Sequence, residues 1–135
     1  MYHLRSILPF ALLAFACGCN AGRQTVTGKV TYDDGAPVTA GTVVAEATID
    51  GKLVAVQANI ESDGTFRMGG ASPSDGALPG TYKVLITPPS LSDFEKGQGK
   101  RPALDGKYGS FDSSGIVLDV KPGKNELAIK VERPK

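Results

Sequence analysis

Five Asp-Gly dipeptides punctuate the chain, at 34–35, 50–51, 63–64, 75–76 and 105–106. Glycine takes positive φ at no steric cost and aspartate tolerates it, so each pair predicts a tight turn. Between these turns no stretch keeps helical periodicity for ten residues. The segments alternate with period two instead, which is the pattern of half-buried β-strands. Seventeen glycines and nine prolines fit short strands joined by tight connections.

The segment from Asp75 to Pro89 reads as turn, strand and stop. Asp75-Gly76 and Pro79-Gly80 turn the chain. Tyr82, Val84 and Ile86 then share one face, opposite Thr81, Lys83 and Thr87, with Leu85 breaking the polar row. Pro88-Pro89 ends the strand, because proline has no N–H to give to a sheet. This predicts a central strand.

Six more strands follow from the same alternation. Val26, Val30 and Tyr32 align within 25–32, and Val43, Ala45, Ala47 and Ile49 within 42–49. Val54, Val56, Ala58 and Ile60 align within 53–60, and Phe66 and Met68 within 65–68. Ile116, Leu118 and Val120 align within 116–120, and Leu127, Ile129 and Val131 within 126–132. Seven short strands with frequent turns predict an all-β fold, a seven-stranded antiparallel β-sandwich. The region 88–114 is the longest weakly patterned one, with mixed charges and Gly97, Gly99, Gly106 and Gly109. A loop of that length in a small domain is functional or mobile. Tyr108 and Phe111 are expected to tuck part of it onto the sandwich, and Ser92 to Lys96 to form one helical turn.

The N-terminus has its own pattern. Arg5 precedes an apolar run, Ile7 to Ala16, too short for the about 20 residues that span a bilayer. Its length suits the core of a signal peptide. Small residues then precede Cys17 and Cys19, in a pattern that resembles a bacterial lipobox. Cys19, after Gly18, is the expected lipid-attachment residue, and Cys17, after Ala16, is its rival. The position three before each cysteine departs from the usual Leu, being Ala16 for Cys19 and Ala14 for Cys17. The expected organisation is a signal peptide over 1–18, a tether over 19–24 and one folded domain over 25–133. Two or three acyl chains would hold such a protein firmly, at ~0.8 kcal/mol per buried CH₂. The expected location is the bacterial cell envelope as a membrane-anchored lipoprotein; plain secretion is the alternative.

Removing that leader takes away His3, the only histidine, and the domain keeps no internal cysteine and no tryptophan. Without Arg5 the 15 basic residues fall to 14, matching the 14 acidic ones. No basic run suggests nucleic acid as a partner. A nucleophile would lack the usual histidine base, and zinc would lack its preferred ligands. No catalytic residue, metal site or cofactor is therefore expected. Asp33, Asp34, Asp50, Asp63 and Asp75 are oxygen donors of the type calcium takes, although turn geometry alone explains them. Tyr32, Tyr82 and Tyr108 could stack on a sugar, but strand aromatics more often fill cores.

Four segments carry a resemblance. Val26-Thr-Gly-Lys-Val-Thr-Tyr32, Asp33-Asp-Gly-Ala-Pro-Val38, Ser62-Asp-Gly-Thr-Phe66 and Leu78-Pro-Gly-Thr-Tyr-Lys-Val84 resemble the carboxypeptidase regulatory-like domain, over about residues 25 to 133. The resemblance implies a transthyretin-like sandwich that is not itself catalytic. A transthyretin-like relative hydrolyses a purine-derived ring with histidines and an Arg-Gly-Ser terminus; this chain ends Glu132-Arg-Pro-Lys135, so that activity does not carry over. The expectation is a non-enzymatic, lipid-anchored envelope domain with a structural or protein-interaction role. Its partners would be the membrane, through the lipid, and an envelope protein or glycan. The alternative is a surface module for carbohydrate or another ligand, using the 88–114 loop.

Overall fold

The computed structural model describes residues 22–69, 72 and 75–135. It is mostly β, with seven strands in two sheets. In chain order these are β1 (Val26–Tyr32), β2 (Thr42–Ile49), β3 (Lys52–Asn59), β4 (Thr65–Met68), β5 (Gly80–Thr87), β6 (Ile116–Val120) and β7 (Asn125–Val131). One sheet has the order β4-β1-β7, the other β3-β2-β5-β6. The long loop holds a single helical turn, α1 (Asp93–Gly97), and a 3-10 turn at Gly106–Gly109.

Alternation decides which side chains enter the core. Tyr82, Val84 and Ile86 are fully buried, and β5 is an interior strand as expected. Residues from both sheets fall in one hydrophobic cluster, including Val26, Val30, Phe66 and Met68 from one and Val43, Val56 and Val84 from the other. Fully burying a side chain of this size contributes about 1.5–3 kcal/mol. Loop residues without any periodic signal complete the cluster: Val38, Ala77 and Leu104 are all buried. Tyr108 joins it as expected. Phe111 is only half-buried and lies outside it.

The all-antiparallel expectation needs correction. β1 pairs antiparallel with β4, but parallel with β7, from Val26 opposite Asn125 to Tyr32 opposite Val131. The other three pairings are antiparallel. Parallel neighbours need a long crossover. Here nearly the whole domain lies between the two strands, so both can run in the same direction.

That pairing gives the molecule two ends. Gln24 bridges Ala77 through a pair of backbone bonds of 2.6 and 2.8 Å, and its side chain accepts from the Gly123 N–H at 2.8 Å. The C-terminal part of the expected tether is thus already docked. Gly76 makes the close approach there: a Cβ on it would lie 2.2 Å from the Gln24 carbonyl oxygen. β1 then runs seven residues, about 23 Å, to the opposite end at Tyr32.

Candidate functional site

The far end gathers the termini of β1 and β7 and the 88–114 loop. Tyr32 is its centre. Its hydroxyl donates to the Ala103 carbonyl at 3.1 Å, and the Arg133 guanidinium stacks 3.8 Å from the ring centroid. Arg133 also reaches Asp34 at 3.3 Å. Asp34 sits in the turn after β1, where it accepts from the Ala36 N–H at 3.0 Å. That hydrogen bond first, then Arg133, lowers its pKa below the ordinary carboxylate value.

The loop is tied down along its length. The Tyr108 hydroxyl accepts from the Glu132 N–H at 2.9 Å, and Lys107 pairs with Glu132 at 2.9 Å. Arg101 donates to the Lys135 carbonyl at 3.3 Å. Ser114 is buried and donates to the Val84 carbonyl, joining the end of the loop to the interior strand. The helical turn expected over Ser92 to Lys96 is present as α1, and a capping box between Ser92 and Glu95 holds it. Lys100 caps the arrangement by pairing with Glu95.

Two cavities flank Tyr32. One, of about 280 Å³, lies between Val38, Thr39 and Ala40 and the loop residues Pro89, Ser90, Leu91 and Ala103, with Glu95, Lys100 and Arg101 beside it. The other, about 240 Å³, is bounded by Tyr32, Asp33, Asp34 and Arg133. A larger hollow of about 510 Å³ lies along the β4-β1-β7 sheet, with Lys29, Arg67 and Glu126 among its walls.

The chemistry available at the far end is limited. Ser92 donates to Glu95 at 3.1 Å, which is a hydroxyl beside a carboxylate. Lys100 first, and Ser92 next, hold the Glu95 pKa at about 2. A carboxylate that acidic is a weak general base at neutral pH. The pair therefore serves as a helix cap.

The five loop acids considered for calcium are not brought together. Asp34 and Asp63 each accept from the backbone two residues on, and Asp75 accepts from Ser72. Among the described residues no group of three His, Cys, Asp or Glu side chains could hold a metal ion. Tyr32, Tyr82 and Tyr108 are all buried, so each serves the core, and Tyr32 has a cation against its ring. Among the described residues the exposed aromatic ring is Phe94, on α1, which period-two reasoning passes over. Cys19 and Cys17 lie outside the described residues. Among the described residues no helix is long and apolar enough to cross a membrane. Comparison of the chain with protein families, curated proteins and solved structures gives no match.

Proposed function

We propose that this chain is a lipid-anchored envelope domain, a transthyretin-like sandwich of the carboxypeptidase regulatory-like kind, which acts through contacts made by its 88–114 loop. Two sheets around one hydrophobic cluster support the sandwich reading. The observation that carries the function is the opposition of the two ends. The chain arrives beside Ala77 and Gly123, while Ala103 and the loop lie at the other end of β1, beside Tyr32. An acyl anchor on Cys19 would hold the first end at the membrane and present the loop away from it. Ionisable side chains near the loop are tied into caps and ion pairs, which suits recognition better than catalysis.

Mass spectrometry of the mature N-terminus from intact membranes tests the anchor. The expected result is an acylated Cys19, and Cys19→Ala should move the protein out of the membrane fraction. Its β-sheet circular dichroism should stay unchanged, because Cys19 precedes the first strand. An acylated Cys17 would shift the site by two residues. An unmodified N-terminus further along the chain would sink the lipoprotein reading.

A further inference from the structure

Phe94 is the most exposed large apolar side chain among the described residues, with 75% of its surface accessible. It belongs to a five-residue turn that buries no residue at all. Isolated turns of this length are unstable in water. Polar bonds hold this one instead: the capping box, the Glu95 pairing with Lys100, and backbone bonds from Gln98 to Phe94 and from Lys100 to Glu95, both 3.0 Å. The backbone that carries the ring is thus preorganised in water, so the entropy cost of ordering that backbone is met before any partner arrives.

The same segment also forms a receptor for such a ring. Leu91 and Glu95, on either side of Phe94, line the cleft of about 280 Å³. Val38, Ala40 and Pro89 add apolar walls, and the volume admits a phenyl ring. Phe94 itself is not among its walls. A projection and a matching recess side by side on one surface are what a two-fold, self-complementary interface requires.

The charges match in the same sense. Asp93, beside the projecting ring, is fully exposed and held only by exposed Lys96 at 3.5 Å, a pairing that costs little to exchange. Arg101, beside the recess, is exposed and donates to a backbone carbonyl. A two-fold contact that seats each Phe94 in the other's recess would set Asp93, next to the ring, near Arg101, which lines the recess.

We propose that the far end binds the same end of a second copy of this chain, each Phe94 entering the other's cleft. This rests on the reading of the 88–114 loop as a contact surface. The test is sedimentation of the full chain in detergent, compared with Phe94→Ser in the same detergent. The parent should dimerise, and Phe94→Ser should weaken the dimer on the order of 100-fold, the loss of a buried aromatic anchor from each side. At concentrations too low for the dimer, thermal unfolding should not change, because Phe94 is largely exposed in the monomer; where the dimer forms, the parent alone should gain stability with concentration. Arg101→Glu should weaken the dimer, and adding Asp93→Arg should restore it. A photo-reactive phenylalanine analogue at position 94 should cross-link to a peptide of the second copy containing Val38 or Leu91. A monomeric parent, or an undiminished dimer in Phe94→Ser, overturns the proposal. Cross-links to a different protein overturn self-pairing but uphold the loop as a contact surface. No cross-link of any kind overturns both. The lipid anchor is judged separately, by the mass of the N-terminus.

Discussion

The Tyr82 hydroxyl donates to the Leu78 carbonyl at 2.8 Å, closing the turn that feeds the interior strand β5. The ring of the same residue is fully buried in the core. One side chain therefore fixes both the depth of the strand and the path of the chain entering it. Burial raises the phenol pKa above its ordinary value, keeping the hydroxyl protonated as a donor.

Tyr82→Phe should keep the ring and lose the bond. The expected cost is about 0.5–1.5 kcal/mol, the net worth of an ordinary hydrogen bond. Urea unfolding should show a lower midpoint with an unchanged slope. Parent-like stability would mean that Pro79 and Gly80 hold the turn unaided.

Gly28 lies where β1, β4 and β7 crowd together. A Cβ there would sit 2.3 Å from the Leu127 carbonyl oxygen and 2.3 Å from the end of the Phe66 ring. The ring can tilt, but the carbonyl belongs to the parallel β1–β7 ladder and can move only with it. Gly28→Ala should destabilise by about 1–3 kcal/mol, the usual penalty for overpacking a filled core. Gly97→Ala is the control, since a Cβ at Gly97 meets no atom within 4 Å. It should be neutral or slightly stabilising. Equal losses in both variants would contradict the crowding at Gly28.

Glu95 gives a pH-dependent signature. Its pKa is lowered from 4.5 to about 2, chiefly by Lys100 and then by Ser92. A depressed carboxylate stabilises the state that holds it ionised above the unfolded pKa, and that contribution fades as pH falls. The α1 cap should hold above about pH 4.5 and loosen toward about pH 2. Carboxyl NMR titration should report that midpoint. Lys100→Met should move it back toward 4.5. A parent Glu95 titrating near 4.5 would show that Lys100 does not hold it in solution.

Alternation along the chain determined the seven strands and their inward faces. The reason is local: successive strand side chains point to opposite sides, so Tyr82, Val84 and Ile86 must share a face whatever surrounds them. The helical turn near Ser92 to Lys96 was legible from the sequence, and the structure adds the Ser92–Glu95 capping box that holds it. Partner choice was not legible. The parallel register of β1 with β7 joins residues about a hundred positions apart, such as Val26 and Asn125, and no local pattern encodes it. The burial of Val38, Ala77 and Leu104 depends on which strands their loops cross. The Arg133–Tyr32 stack exists only because parallel pairing brings the end of β7 to the end of β1, and the cleft beside Phe94 only because the 88–114 loop folds against Tyr32, Val38 and Ala40. Local sterics set the strands; only long-range packing could decide which of them meet and which surfaces they leave open.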